Sequence, residues 1–379
     1  MKKKLSAVHS KGLVLFFLAW ILPTPGLGSQ ARTGYVAENL SGFAWDLFAQ
    51  LNRPDPSAFG CPTAWECWAT KHYLFGTCRP DWNDPAARRR HLTSLTQEEQ
   101  GLLHFMRDQG LLPDQVEKLS QTLKATETEI RLNRIAFDWI FDHRLHCLEE
   151  QQRRYKVYLC HPKCPQPTRE FLEESIFVEA SWIRIDSNQK DEYHHFIRES
   201  ESGEVMGLVG LHVSIKSLPN WIWMTWEHID NPQRFAYRLM EDRLQPEARR
   251  QIFANYRMCE EDLEKPCYWM NYVLNGVQTS FLDGHGRPVL LSNSVFETSN
   301  PESSCMSCHA RSAIGAGDRR LNLFSQDAAG APSPEWFDRT PLPDRPFLQL
   351  DFVNSLTDVK RCKEICPSDS HQHLEEPQK

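Results

Sequence analysis

The chain has 379 residues, 25% charged and 40% hydrophobic, with a formal net charge of −7. This is ordinary globular composition, long enough for two average domains or one large one. No basic tract suggests nucleic-acid binding, and the short run Arg88-Arg89-Arg90 is expected on a solvated face.

Residues 1–28 read as an export leader. Lys2, Lys3, Lys4 and Lys11 flank and precede a ten-residue apolar run, LVLFFLAWIL, at residues 13–22. Breakers and small residues follow from Pro23 to Gly28, so cleavage is expected after Gly28 or Ala31. Ten residues are too few to cross a bilayer, which takes about 20. No later apolar run is long enough to anchor the chain, and loss of the four lysines takes the formal charge from −7 to −11. The expectation is a periplasmic protein without a membrane span once the leader is removed.

Residues 29–165 read as helical and Cys-containing. Phe43, Trp45, Leu47 and Phe48 lie in a segment that Ser41 could cap and that ends before Pro54. A second short helical pattern carries Trp65, Trp68 and Tyr73. Thr96 and Glu99 form a capping box for a helix through Met106. A longer helix is expected from about Thr126 to Arg153, because Ile130, Phe137, Ile140, Phe141 and Leu145 recur at helical spacing. His143 and His146 near its end read as surface histidines.

The pattern changes at about Glu173, within a β-rich region spanning residues 166–366. SIFVEASWIRI, DEYHHFIRES, VMGLVGLHVSI and WIWMTWEH are runs of strand formers separated by turn residues, which predicts an antiparallel meander. A helical insertion covers about Glu247 to Arg257. NYVLNGVQTSFLDGHGRPVLLSNS predicts a hairpin around Asp283-Gly284. PFLQLDFVNSL is expected to pack back on the core, and residues 367–379 read as a disordered polar tail. The fold class is therefore α+β: a helical N-terminal half packed on an antiparallel β meander.

Twelve cysteines are present. Cys305-Met306-Ser307-Cys308-His309 is the attachment signature of c-type haem, and it belongs to the C-terminal part of the meander. Two thiols three positions apart each add to a porphyrin vinyl group, and the next histidine is placed as the proximal iron ligand. Two other readings stand beside it: a disulfide or redox pair, and half of a zinc site, for which no second Cys-x-x-Cys is present. The remaining ten cysteines suit disulfides in an oxidising compartment, with local pairs Cys160/Cys164, Cys259/Cys267 and Cys362/Cys366 the simplest guess.

Several stretches together resemble exported single-haem cytochrome c family proteins of Gram-negative bacteria. They are FAWDLFAQLN, NRIAFDWIFDHRL, VEASWIRI, GLVGLHVSIKSLPNWIWMTWEHIDNP, NGVQTSFLDGHGRPVLLSNS, SSCMSCHA and LQLDFVNSL, in that order over most of the chain. The resemblance implies one haem c and export, and says little about substrate. The Cys-rich segments and the insertion near Glu247 depart from it.

The second axial ligand is not obvious. No methionine follows Met306, and the downstream histidines His371 and His373 lie in the polar tail. His212 and His228 are the best candidates, because an even pairing register of their strands would put both on one face. Met224 and Met270 are further possibilities, and Arg234 could serve as a distal donor. Three functions follow: an electron-transfer cytochrome, a haem-dependent oxidoreductase or peroxidase with an open distal site, and a haem-based gas sensor. The partner is a redox protein or a small-molecule substrate of unknown identity. No nucleotide loop or Gly-x-Ser-x-Gly elbow points elsewhere.

Overall fold

A computed structural model of the chain describes residues 40–55, 60–94, 126–160, 163, 170–198, 203–231, 244–262, 264–298, 301–321, 329–337, 346–357 and 359–366. The leader, the capping box at Thr96 and Glu99, Cys164, Arg234 and the tail from residue 367 lie outside them. The strands are β1 (Ala69–Thr70), β2 (Thr93–Ser94), β3 (Thr126–Leu132), β4 (Ile176–Ile185), β5 (His195–Ile197), β6 (Val205–Ile215), β7 (Ile222–His228), β8 (Tyr272–Gln278), β9 (Ala313–Ile314) and β10 (Leu348–Gln349). The first eight form one antiparallel sheet, in the order β1-β3-β4-β6-β7-β8, with β2 on β3 and β5 on β6. The predicted meander is therefore present, and the helical half adds strands to it.

Helix α1 (Leu40–Asn52) covers one face of the sheet; it begins at Leu40, so Ser41 lies inside its first turn. Trp45 and Phe48, one helical turn apart, meet Trp226 and Phe253 edge-on or tilted at 5.2–6.2 Å. Phe253 comes from the predicted insertion, a helix over Pro246–Asn255. Trp45, Phe48, Trp226 and Phe253 are all fully buried, and each such side chain contributes about 1.5–3 kcal/mol.

The long helix expected from Thr126 to Arg153 is not one element. Thr126–Leu132 is strand β3, Asn133 caps a helix over Arg134–Asp142, and a second helix covers Leu148–Leu159. The Asn133 side chain accepts from Ala136 N at 3.1 Å and from Ile176 N at 3.1 Å, so it starts the helix and ties it to β4. His143 is not simply a surface residue: it stacks on Trp139 at 4.3 Å and its Nδ1 bonds the Trp139 carbonyl.

The expected hairpin shrinks to a tight turn closed by Asp283 N on Arg287 O, with a single bridge from Leu282 to Pro288. Beyond it the chain leaves for Ser304 instead of running back along β8.

Two further corrections concern charge and cysteine. Arg89 is exposed as expected, but Arg90 is only partly so. It pairs with Glu66 and Glu129, and its guanidinium lies over Trp182 and Phe196. Cys362 and Cys366 do not pair with each other. Cys147 bonds Cys362 and Cys78 bonds Cys366, joining the C-terminal segment to the helical half, while Cys61–Cys67 and Cys259–Cys267 are local. Cys160 is also disulfide-bonded. Among the described residues no helix is long and apolar enough to cross a membrane.

Candidate functional site

Register decides which side chains share a face. Within β6 and β7, His212 pairs with Thr225 and Gly210 with Glu227, an odd offset. Side chains alternate along a strand, so His212 lies with Thr225 and Trp223, and His228 lies on the other face with Trp226. The structure thus separates the two histidines expected together. His228 is fully buried, stacks on Tyr193 at 3.8 Å and bonds the Glu192 carbonyl through Nε2 at 3.0 Å. It is removed from the site. Met224 shares its strand parity although it borders the cleft, and Met270 does not line the cleft at all.

The face that keeps His212 receives the Cys305–His309 helix. This short helix is built on Gln278, the last residue of β8 and fully buried. Gln278 Nε2 donates to Ser304 Oγ at 2.8 Å and its Oε1 accepts from Met306 N at 3.1 Å. Ser304 caps the helix by accepting from Ser307 N. Cys305 N then donates to Leu291 O at 3.0 Å, which fixes the helix against the strand-like return. Beyond it, β9 pairs with β10, so the predicted C-terminal segment does return to the core. Its turn places the Phe352 carbonyl 2.8 Å from His309 Nδ1. A carbonyl only accepts, so Nδ1 carries the proton and Nε2 keeps its lone pair.

His309 and His212 both line a cleft of about 520 Å³, its open mouth included, together with Cys305, Glu179, Trp223 and Phe352. Trp223 lies 4.3 Å from the His309 ring. Burial pushes His309 down to about 4, against the hydrogen bond to Phe352. Burial, with the nearby His309, pushes His212 down to about 3. Both imidazoles are neutral at pH 7, the form that ligates a metal. The Nε2 of His212 is buried and has no hydrogen-bond partner; Glu297 Oε2 stands 3.8 Å away. Burial, then Glu297, raises the Cys308 thiol to about 12 and the Cys305 thiol well above its ordinary value.

Cys305 and Cys308 are the free cysteines among the described residues. They do not form the disulfide that one sequence reading allowed. Two groupings of described residues have the reach to hold a metal ion, Asp55 with Cys61 and Cys67, and Cys147 with Glu149 and Cys362. The cysteines of both are in disulfides, and neither includes Cys305 or Cys308. No family model matches this chain, and neither does any curated protein or solved structure.

Glu297, Glu179, Trp223 and Phe352 were not singled out by sequence. Glu297 reaches the site because the segment carrying it packs on a gap in β6. A Cβ at Gly210 would sit 2.5 Å from Val295 Cγ2 and 2.9 Å from Phe296 Cε2, and Phe296 lies 4.0 Å from the His212 ring. A Gly210→Val variant should therefore push residues 295–297 away and lower stability by about 1–3 kcal/mol. Urea unfolding measures the loss; an unchanged midpoint would refute the close approach.

Proposed function

We propose that the chain carries one covalently attached c-type haem in this cleft and passes single electrons through it outside the cytoplasm. One observation carries the reading: two neutral imidazoles face the same space, His309 with Nε2 available and His212 with a buried Nε2 lacking a hydrogen-bond partner. The residues fit the group. Two thiols remain reduced where nine other described cysteines are in disulfides, and they stand one helical turn apart beside His309. The disulfides also support an oxidising compartment.

The bound group would supply a one-electron iron couple. The chain's own residues then do the rest. Cys305 and Cys308 fix the haem edge. His309 is oriented by its Nδ1–H bond to Phe352, which also raises the basicity of Nε2. His212, whose unpartnered Nε2 belongs to a lining residue of the same cleft, would be the second imidazole to hold the group. Trp223 and Phe352 wall the proximal imidazole from water.

A second reading rests on Glu297. A carboxylate beside His212 is what a distal acid–base pair needs, and with His212 held off the iron the protein would be a haem-dependent oxidoreductase. Haem staining of a denaturing gel, with protein made alongside a cytochrome c maturation system, tests attachment. The wild-type band is expected to stain and a Cys305→Ala, Cys308→Ala variant to lose the stain; an unstained wild type ends the proposal. Low-temperature EPR separates the two readings. Low-spin iron that turns high-spin in His212→Ala supports electron transfer, whereas a high-spin wild type that binds carbon monoxide rapidly supports the enzyme.

A further inference from the structure

Resting on the haem reading above, we propose that the buried Lys216–Asp351 ion pair is the positioning device of the proximal histidine. It holds the turn that presents the Phe352 carbonyl to His309, and it ties that turn to the strand bearing His212.

Lys216 follows directly on β6, four residues past His212. Its Nζ donates to both Asp351 carboxylate oxygens, at 2.8 and 2.9 Å, and to the Pro219 carbonyl at 2.9 Å. The two side chains are only 5% and 6% exposed. Asp351 Oδ2 also accepts from Phe171 N at 2.7 Å. The carboxylate is thus gripped from two separate segments, and it belongs to the residue before Phe352.

The grip matters because of the backbone it holds. Asp351 has φ 47° and Phe352 φ 67°, two successive non-glycine residues in the left-handed region. L-residues adopt this conformation at a cost and keep it only where the surroundings enforce it. Here it turns the Phe352 carbonyl inward, 2.8 Å from His309 Nδ1. The two ends of the turn are held separately: Ser312 Oγ donates to Val353 O at 2.7 Å, Leu350 N donates to Ser312 O at 2.8 Å, and Val353 N closes the turn on Leu350 O at 3.1 Å. Between those ends lie Asp351 and Phe352, and the Asp351 carboxylate ties them to Lys216 and Phe171. Stability alone is a weak reason for such a pair, since a buried ion pair adds little over an apolar one of the same shape.

The consequence is electronic. A strong Nδ1–H···O=C bond makes the imidazole a better donor through Nε2 and favours the oxidised iron. Releasing the clamp lets the turn relax and weakens that bond, so the reduced form gains.

The test compares full-length wild type with Lys216→Met, Lys216→Arg and Asp351→Asn, all made with a cytochrome c maturation system. Haem staining, redox titration and EPR are measured on each. Lys216→Met and Asp351→Asn are expected to keep covalent haem while the reduced-to-oxidised ratio at fixed poise rises about tenfold, about 59 mV for a one-electron couple. Lys216→Arg keeps the charge but not the compact ammonium, and its ratio should fall between wild type and Lys216→Met. Potentials and EPR signals that coincide in all four stained proteins overturn the inference and leave the haem reading intact. An unstained wild type removes both. If Lys216→Met does not fold, Asp351→Asn decides, since asparagine keeps the shape and tolerates positive φ.

Discussion

A Glu66→Ala variant is expected to lose about 3–5 kcal/mol of stability, the cost of removing one member of a buried ion cluster. Glu66 is 3% exposed and lies beneath the face of the sheet away from the cleft. It accepts from Thr63 Oγ1 at 2.7 Å, bonds His194 Nε2 at 3.0 Å and pairs with Arg90. Arg90 and Arg131 also share Glu129, and Arg131 Nη1 reaches the Glu66 and Trp68 carbonyls at 2.6 and 2.9 Å. Without the Glu66 carboxylate, His194 loses a buried partner and Arg90 is left with Glu129. The same cluster sets an acid limit. Burial alone would raise the Glu66 carboxyl, but His194 and Arg90 outweigh it and hold it at about 2, below its ordinary 4.5. A depressed folded value means stabilisation that is present above pH 4.5 and lost as pH falls toward 2. The amount is about 3 kcal/mol. Urea unfolding at pH 7 and pH 3 should show a steep loss in wild type and a flatter one in Glu66→Gln. Equal slopes would contradict the pairing.

Removing the two C-terminal disulfides should have the next largest effect. Cys147–Cys362 and Cys78–Cys366 span 215 and 288 residues of sequence. Loops of that length are constrained strongly in the unfolded chain, and losing such a bridge typically costs about 2–5 kcal/mol. Both bridges hold the same short helix, Cys362–Ile365, so either one alone keeps the segment near its place. The Cys147→Ser, Cys362→Ser pair is therefore expected to lower the unfolding midpoint modestly. All four serines together should lower it by more than the sum of the two pairs. Strict additivity would show that the bridges act independently.

Sequence reading found the central strands because their β-branched and aromatic runs are bounded by turn residues. It missed β3 for a physical reason. TETEIRL alternates, but Glu129 and Arg131 are the residues driven inward, to the Glu66 cluster, so the polar positions are buried. Ile130 then aligned by chance with the helical spacing of Phe137 and Ile140. The short helix over the motif was not expected, since Gln278 and Leu291 seat it from elsewhere, but the Cys-x-x-Cys-His spacing was legible because it is local in the chain. The place of His228 was not, since one residue of register moves a side chain to the opposite face, and that register is set across the Lys216–Asn220 turn. Nor were the pairings of Cys362 and Cys366, which depend on partners more than 200 residues away.

On the haem proposal, the return of the C-terminal segment over the Cys305–His309 helix also bears on the order of attachment. In the closed molecule Cys305 is 8% exposed, and the turn at Phe352 is bonded to His309. With β10 seated, little of Cys305 is open to a large planar reactant. The oxidant that closes Cys147 onto Cys362 is also one that could join Cys305 to Cys308. The two oxidations therefore compete in time. If the 305 and 308 thiols take the proposed haem, a productive order would modify them while the later part of the chain is still loose and close the 362 and 366 bonds afterwards, so that the terminal disulfides latch a step already completed.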